Sequence, residues 1–310
     1  MKQLKIVFMG TPDFACGILT SLIEAGHDII GVVSQPDRKV GRKQVIKSTP
    51  VKTLALQNNI TVLQPEKISK DYQAIMDLKP DLIVTCAYGQ MIPQELLDFP
   101  AYGSLNVHAS LLPKLRGGAP IHKAIIYGYS QTGVSIMRMV KKMDAGDYML
   151  QGKVDITMED TAGSLHDKLM ACGSKLIIEA IELLVDGQAQ FIAQDEQEAT
   201  FAYNISKEEE KIDLTQNRLQ VYNQIRGLIP WPVGYIIIDG LKMKLHGVKW
   251  CDITSSSIEP GKLFYHDKRV FLSCIDGVLE ITKIQKEGKK ISDAASFIAG
   301  NSRCLIEGEI

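Results

Sequence analysis

The sequence lacks the features that mark membrane, secreted or metal-dependent proteins. Its 310 residues contain no apolar stretch close to the ~20 residues that a membrane-spanning helix needs. Only six cysteines occur, and the closest pair, Cys251 and Cys274, lies 23 residues apart, so there is no C-x-x-C pair and no zinc-ligand spacing. Scattered single cysteines are typical of a reducing compartment. We therefore expect a cytoplasmic protein with no bound metal.

An excess of charge of one sign is also missing. The chain has 35 basic and 36 acidic residues, for a net charge of −1, and 45% of its residues are hydrophobic. This composition is that of a globular protein and excludes a disordered chain or a uniformly basic nucleic-acid coat, although a local basic patch stays possible. The sequence has no P-loop, and the turn at 10–13 lacks the G-x-G-x-x-G pattern. A dinucleotide cofactor is therefore not expected at this turn.

Short apolar segments alternate with helical patterns over the first part of the chain. They predict strands at 4–9, 29–34, 60–63, 81–87, 105–109 and 134–140, and helices at 13–26, 51–58, 69–78 and 164–185. This order predicts an α/β domain with a mainly parallel, doubly wound sheet, whose ligands bind beyond the carboxyl ends of the strands. Asp13 is predicted to cap the first helix, and Ser164 with Asp167 to form a capping box on the last.

The composition and periodicity of the sequence change after residue 187. Residues 188–205 are polar and are interpreted as a linker, and Ser206–Glu209 is a capping box that predicts a helical segment. A further helix is predicted to end near Arg226, and short strands separated by turns follow at 235–238, 242–248, 270–272 and 278–284. The prediction is a first domain at 1–187, a linker at 188–205 and a small β-barrel or sandwich domain at 206–310.

Asn106 and His108 are the strongest candidates for chemistry. They are two residues apart at the end of a predicted strand, so their side chains share one face. An amide donor beside an imidazole is suited to stabilising the oxyanion of an acyl transfer. The Ser110–Pro113 segment then leaves the sheet as a loop, and a helix is predicted to start near Pro120. Taken alone, the pair is more typical of a turn asparagine and a core histidine.

Two further segments carry charge near the predicted ligand edge. Residues 141–147 include Asp144 and Asp147 on the loop that leaves a strand, which is also the pattern of an ordinary turn. Residues 35–52 contain six basic residues and one acidic residue, a net charge of +5. A flexible basic loop at this position suits a phosphate-rich partner, because arginine presents a fork that matches phosphate. It is equally compatible with a solvated surface loop.

These segments in their order resemble the methionyl-tRNA formyltransferase family. The resemblance is carried by 10–14, by 35–38, by Asn106-x-His108 with Ser110–Pro113 and Arg116-Gly117, and by Asp144-x-Gly146. It continues through 225–226, 230–232 and 288–290, and so covers essentially the whole chain. It implies a Rossmann-like formyltransferase domain followed by an OB-like β-barrel that binds tRNA. The implied reaction moves the formyl group of 10-formyltetrahydrofolate to the α-amino group of methionyl-initiator tRNA.

The resemblance also implies roles for individual residues. Asn106, His108 and Asp144 would be catalytic. Ser110, Leu111, Leu112 and Pro113 would bind folate, largely through backbone groups, and Gln90 and Ile92 would line the pterin pocket. Arg38, Arg42 and Lys43 would contact the tRNA acceptor end. Folate is a consumed co-substrate in this reaction, and a monomer is expected.

Some alternatives share the same residues. A formyltransferase acting on an amino sugar nucleotide would use Asn106, His108, Asp144 and the 110–113 loop, but the basic loop and the second domain favour a polyanionic substrate. A formyl hydrolase would use water in place of the amine. A non-catalytic RNA- or folate-binding protein would have no need of Asn106 or Asp144. Two positions depart from the family pattern, Lys39, where proline is frequent, and Leu115, where an aromatic residue is frequent.

Overall fold

The structure is a computed structural model that describes residues 3–40, 44–253, 257–300 and 305–309. The chain divides into two compact units, each discontinuous in sequence. The first unit contains 1–120, 132–154 and 166–203, and the second contains 121–131, 155–165 and 204–310. Most of the stretch that the sequence analysis interprets as a linker, 188–203, thus belongs to the first compact unit, and the predicted domain boundaries stay a proposal.

The first unit is built on one sheet flanked by helices. In chain order the elements up to the long helix are β1 (Lys5–Gly10), α1 (Asp13–Glu24), β2 (Asp28–Val33), β3 (Arg38–Val40), β4 (Val45–Lys47), α2 (Pro50–Gln57), β5 (Val62–Leu63), α3 (Gln73–Met76), β6 (Leu82–Cys86), α4 (Gln94–Asp98), β7 (Ser104–His108), α5 (Pro120–Ile126), β8 (Gln131–Arg138), β9 (Tyr148–Asp155) and α6 (Ala162–Val185).

The main sheet has the order β5-β2-β1-β6-β7-β8-β9. Strands β5, β2, β1, β6 and β7 are parallel, and β8 runs antiparallel to β7. Strand β6 is buried at every position because helices cover both faces of the sheet, which is why it reads as a continuous apolar run. The chain reverses its direction of growth between β1 and β6, so the carboxyl ends of the central strands border a crevice suited to a ligand. The predicted α/β class is confirmed.

Two predicted helix caps are wrong. Helix α1 has Pro12 at its N-cap, so Asp13 lies in the first turn, where a carboxylate is favourable near the positive end of the helix dipole. Helix α6 begins before the predicted Ser164. The hydroxyl of Thr161 accepts a hydrogen bond from Ser164 N at 3.2 Å, and Ser164 Oγ accepts from Thr161 N at 3.0 Å. Ser164 is therefore the reciprocal partner of Thr161 rather than the capping residue.

Helix α6 keeps its predicted apolar face towards the core. Leu165, Leu169, Leu176 and Ala180 are buried, whereas Cys172 is only partly buried. Gly187, with a positive φ of 69°, follows the end of the helix as predicted. The stripe of apolar residues is thus a packing surface.

The second unit contains a mainly antiparallel sheet with the strand order β10-β11-β14-β13-β12-β16, and β15 pairs with β14. Besides nearly all of α5, its elements are α7 (Arg218–Gly227), β10 (Tyr235–Ile238), β11 (Leu241–Trp250), β12 (Leu263–His266), β13 (Arg269–Cys274), β14 (Gly277–Lys286), β15 (Ser292–Asp293), α8 (Ala294–Gly300) and β16 (Ile306–Glu307). The arrangement is consistent with the predicted OB-like domain. Ile225 of α7 packs into the same core as Leu245 of β11 and Ile281 of β14.

The capping box at Ser206 forms but opens no helix. Ser206 Oγ accepts from Glu209 N at 3.3 Å, and Glu209 Oε2 accepts from Ser206 N at 2.9 Å. Residues 207–210 nevertheless make only a turn, and the next helix is α7. A reciprocal cap satisfies amide groups at a chain reversal as well as at a helix start, so this pattern alone does not distinguish the two.

Among the described residues, no helix is long and apolar enough to cross a membrane. Nor do the described parts of the chain bring together three or more His, Cys, Asp or Glu side chains as a metal site would need.

Candidate active site

Asn106 and His108 lie at the carboxyl end of β7, in the centre of the main sheet. Asn106 is partly exposed and His108 is 6% exposed, while Val107 between them points into the core. Asn106 lies opposite Thr85 of β6 and Met137 of β8. The strand therefore presents both predicted side chains on one face, next to the crevice where the sheet order reverses.

The amide of Asn106 is oriented by its neighbour on β6. Thr85 Oγ1 lies 2.8 Å from Asn106 Oδ1 and donates to it. The hydroxyl proton can satisfy only one strong acceptor. Asn106 Oδ1 is closer than Leu105 O at 3.2 Å, and the Met139 sulfur at 2.9 Å is only a weak acceptor. Within the described residues nothing accepts a hydrogen bond from Asn106 Nδ2. The amide nitrogen is thus available as a donor, as an oxyanion site requires.

His108 is held through both ring nitrogens. Nε2 lies 3.1 Å from Leu115 O, and because a carbonyl only accepts, Nε2 carries a proton. Nδ1 lies 3.7 Å from Asp144 Oδ2, which is ion-pair distance but longer than a hydrogen bond. Leu115 adopts a left-handed backbone with a φ of +59°. This conformation is costly for a branched residue, and here it accompanies the contact of the carbonyl with the imidazole.

Asp144 is fixed by the Arg116-Gly117 turn. Its Oδ2 accepts from Gly117 N at 2.8 Å. Gly117 has a φ of +120°, and a Cβ there would lie 2.7 Å from Ala202 O, so only glycine fits. Gly146 lets its own backbone lie against that of Arg138, because a Cβ at this position would be 2.0 Å from Arg138 O. The glycines of the two motifs thus bring the loop after β8 against the turn after β7.

The Ser110–Pro113 loop is tied down by polar side chains from β8 and β9. Ser135 Oγ accepts from Leu112 N at 3.0 Å and donates to Ser110 O at 2.6 Å. Gln151 Nε2 donates to Leu112 O at 2.8 Å. These bonds leave the Leu111 amide without an acceptor in the part of the chain that the structure describes. This amide is the backbone donor that the predicted folate-binding loop has to offer.

Most of the side-chain contacts of residues 89–92 are with other parts of the protein. Gln90 Oε1 accepts from Ile68 N at 2.9 Å, and Gln90 Nε2 faces Gln35 Oε1 at 3.3 Å. Ile92 is buried in the core with Tyr88. Met91, by contrast, is 63% exposed. The structure thus gives both predicted pterin-pocket side chains contacts within the fold, and the role of this segment in binding stays a proposal.

The described part of the basic segment is a short hairpin. Strands β3 and β4 pair antiparallel, with Arg38 opposite Lys47. Arg38 makes an exposed ion pair with Glu66, with an Nη2 to Oε2 distance of 2.9 Å. The base of the hairpin is held by Asp37, whose Oδ2 accepts from Lys52 Nζ at 2.7 Å and whose pKa is lowered by that bond. Arg42 and Lys43 lie outside the described residues.

Sequence reasoning misses the side chains that hold these groups in place. Thr85 and Ser135 are single hydroxyls within buried strands, and Gln151 lies in β9, a strand the periodicity does not reveal. Arg116 belongs to a motif that the sequence analysis singles out, but no role follows from it there. Pairing across the sheet places Thr85, Ser135 and Gln151 beside the candidate site, and Arg116 reaches it from the loop after β7.

Comparisons with known proteins agree with this arrangement. Residues 4–181 match the family model described as formyl transferase, and residues 204–302 match the formyl transferase C-terminal domain. A curated protein of Bacillus licheniformis named methionyl-tRNA formyltransferase is 48% identical over 300 residues, covering 96% of this chain and 95% of the relative. The chain belongs to the methionyl-tRNA formyltransferase family. A relative with the same name from Bacillus thuringiensis is 48% identical over 302 residues, covering 96% of each chain.

Solved structures of low sequence identity show the same fold. HypX from Aquifex aeolicus in complex with tetrahydrofolic acid matches with a TM-score of 0.71 and 17% identity over 99% of this chain, which spans about half of that protein (49%). An N-formyltransferase from Helicobacter canadensis in complex with folinic acid and dTDP-3-aminofucose matches with a TM-score of 0.68 and 19% identity, covering 92% of this chain and 100% of that one.

Proposed function

We propose that the protein transfers the formyl group of 10-formyltetrahydrofolate to the α-amino group of methionyl-initiator tRNA. The observation that carries the proposal is Asn106. Its amide oxygen is engaged by Thr85, and its Nδ2 is left as a donor at the carboxyl end of β7, beside His108 and Asp144. The names of the relatives that are 48% identical along almost the whole chain supply the tRNA substrate.

The chemistry requires little activation of the nucleophile. An α-amino group has a reference pKa near ~8, so a useful fraction is neutral at physiological pH. Its lone pair forms the new carbon–nitrogen bond to the formyl carbon, and negative charge develops on the formyl oxygen. Asn106 Nδ2 donates to that oxygen. When the bond to N10 of the folate breaks, that nitrogen receives the proton that the amine loses, so atoms and electrons balance.

His108 and Asp144 have the two remaining roles, which are to stabilise the developing oxyanion and to accept a proton from the amine. Since Nε2–H of His108 is directed to Leu115 O, the nitrogen left for the reaction is Nδ1, on the side of Asp144. Protonated at Nδ1, His108 is a cationic neighbour for the developing oxyanion. The Asp144 carboxylate, 3.7 Å away, balances that charge and is placed to take a proton from the attacking amine.

The two substrates are assigned to different segments. The 110–113 loop binds folate, with the Leu111 amide as its available donor, and the backbone of 89–92 borders the pterin. Arg38, Arg42 and Lys43 bind the tRNA acceptor end, and the second domain binds RNA backbone. A cytoplasmic location and a monomeric state are part of the same proposal.

The test is a transfer assay with methionyl-initiator tRNA and 10-formyltetrahydrofolate, with formylmethionyl-tRNA and free formate quantified separately. We expect transfer by the parent and a loss of about 10²–10³-fold in kcat in Asn106→Ala, the usual effect of removing one oxyanion donor. The matched control is Asn58→Ala, an exposed asparagine after α2 at the far edge of the sheet, which should keep full activity.

Each failure has a distinct meaning. Full transfer by Asn106→Ala would keep the reaction and remove the oxyanion role. Formate without formylated tRNA would indicate a hydrolase. No product with methionyl-tRNA but transfer to an amino sugar nucleotide would replace the proposed acceptor.

A further inference from the structure

We infer that Gln194, clamped by the buried Arg116, is a positioning residue that fixes the Asp144 loop for formyl transfer. The inference rests on the proposed function only for its kinetic consequence. In structural terms, Gln194 holds the loop of Asp144, fifty residues earlier in the chain, and so fixes the position of the candidate catalytic carboxylate.

All the hydrogen-bonding capacity of the Gln194 amide is used at this point. Nε2 donates to Asp144 O at 2.8 Å and to Gly146 O at 2.6 Å. Oε1 accepts from Arg116 Nε at 3.0 Å and from Arg116 Nη2 at 2.8 Å. Two N–H groups meet two carbonyls and two lone pairs meet two guanidinium donors, so the amide has one possible orientation.

Arg116 makes the clamp rigid. It is fully buried at 0% exposure, and a buried cation is unfavourable unless it is paired. Glu196 pairs with it, with 3.0 Å between Oε1 and Nη2 and 3.2 Å between Oε2 and Nη1. Lys142 Nζ, on the loop that carries Asp144, also donates to Glu196 Oε2 at 2.6 Å. The carboxylate thus connects the guanidinium to the same loop from a second side.

The loop that carries Asp144 has little packing of its own. Lys141, Lys142 and Met143 are exposed, and Asp144 has a left-handed φ of +49°. This conformation is uncommon outside glycine, although aspartate tolerates it better than most residues, so contacts from elsewhere in the fold are needed to fix the loop. In the described structure, the hydrogen bonds that hold Asp144 directly come from Gly117 N to its side chain and from Gln194 Nε2 to its carbonyl, and His108 Nδ1 adds a longer ionic contact at 3.7 Å.

The segment carrying Gln194 is itself fastened on both sides. Before it, Ile192 exchanges two backbone hydrogen bonds with Tyr148, at 2.8 and 3.1 Å. After it, Arg116 N donates to Thr200 O at 2.9 Å, and Ala202 N donates to Arg116 O at 2.7 Å. Residues 192–202 therefore form a strap across the candidate active-site loops. This strap makes Gln194 a preorganised support for Asp144.

The first test is a double-mutant cycle between Gln194 and Asp144. Gln194→Met keeps length and volume but removes both donors. We expect it to lower kcat about 10- to 100-fold with KM for both substrates changed less than twofold, because displacement of a reacting group affects the rate more than binding. In an Asp144→Ala background the same substitution should change kcat less than twofold. Equal losses in both backgrounds would show a general structural role and overturn the inference.

The matched control is Gln151→Met. Gln151 is also a partly buried glutamine that donates to a backbone carbonyl, but it holds the 110–113 loop. Its effect on kcat should be the same factor with and without Asp144. If both glutamines couple equally to Asp144, the assignment to Gln194 is overturned.

A second measurement needs no activity. The amide of Gly117 donates to Asp144 Oδ2, so its hydrogen exchange, followed by NMR on the full chain, reports whether Asp144 stays in place. Exchange at Gly117 should accelerate more than tenfold in Gln194→Met and stay unchanged in Gln151→Met. Unchanged protection in Gln194→Met would overturn the inference. This measurement tests whether Gln194 positions Asp144 even if Asp144→Ala is too slow to assay or if the parent fails to formylate methionyl-tRNA.

Discussion

Thr85 Oγ1 donates to Asn106 Oδ1 across 2.8 Å, joining two neighbouring parallel strands at their carboxyl ends. Without this hydroxyl the amide of Asn106 could turn, placing its oxygen where the reaction places negative charge. A buried side chain on β6 therefore determines which end of the Asn106 amide faces the substrate. The orientation of a donor matters as much as its identity, because only a preoriented dipole stabilises charge without reorganisation.

Thr85→Val should lower kcat about 10- to 100-fold, less than the loss of the whole Asn106 donor, which typically costs ~10²–10³-fold. Valine keeps the shape of threonine but removes the proton that orients Asn106. Thr85→Ser keeps the hydroxyl and should stay within about threefold of the parent. Steady-state formyl transfer checks both. Equal activity of the valine and serine variants would show that Thr85 does not orient the amide.

Gly117→Ala should lower both stability and kcat. The new Cβ would meet Ala202 O at 2.7 Å, in addition to the cost of a φ of +120°. We expect a loss of about 1–3 kcal/mol in the free energy of unfolding, measured by urea denaturation. The control is Gly187→Ala, which has a φ of +69° and no atom within 4 Å of the new Cβ. It should cost less and leave kcat unchanged, whereas similar losses in both would show that the contact with Ala202 is unimportant.

The ion pair between Arg116 and Glu196 should remain charged, and should go on stabilising the fold, at mildly acidic pH. Hydrogen bonds from Arg116, and then from Lys142, lower the pKa of Glu196 from 4.5 to about 2. Because the folded pKa is below the unfolded one, the stabilising contribution is complete above pH 4.5 and is lost as the pH falls towards 2. The difference in melting temperature between the parent and Glu196→Gln should therefore be constant above about pH 5.5 and shrink below 4.5. A difference that grows on acidification would contradict this assignment.

Arg42→Ala should weaken the use of tRNA without affecting folate. The residue lies in the basic segment 35–52, and one lost phosphate contact should reduce the slope of log K against log salt by about 1. KM for methionyl-tRNA should rise about 10-fold, which corresponds to the ~1.5 kcal/mol at the lower end of the range for a hydrogen bond to a charged group. Tetrahydrofolate binding, followed by fluorescence quenching, should not change. Arg38→Ala removes a second proposed tRNA contact and should raise the same KM by a smaller factor, because Arg38 is already paired with Glu66. Equal loss of affinity for both substrates would remove Arg42 from the tRNA contacts.

Much of the first domain is predictable from local pattern. β1, β2, β6 and β7 are short apolar segments buried on both faces, and the alternation along β7 places Asn106 and His108 together. The prediction fails where burial is uneven. β9 mixes buried, partly buried and exposed positions without alternation, and β3 and β4 are exposed strands of three residues each. Such strands depend on their pairing partners rather than on their own composition.

Local sequence patterns are enough to predict the class of fold and the candidate reacting groups, since apolar periodicity and the ordered motifs around Asn106, His108 and Asp144 depend only on neighbours along the chain. How those groups are held depends on contacts between residues that are far apart in the chain. Thr85 lies 21 residues before Asn106, and Gln194 lies 50 residues after Asp144 in a polar stretch without periodicity. A hydrogen bond between distant residues leaves no local pattern, because it depends on where the folded backbone brings donor and acceptor together.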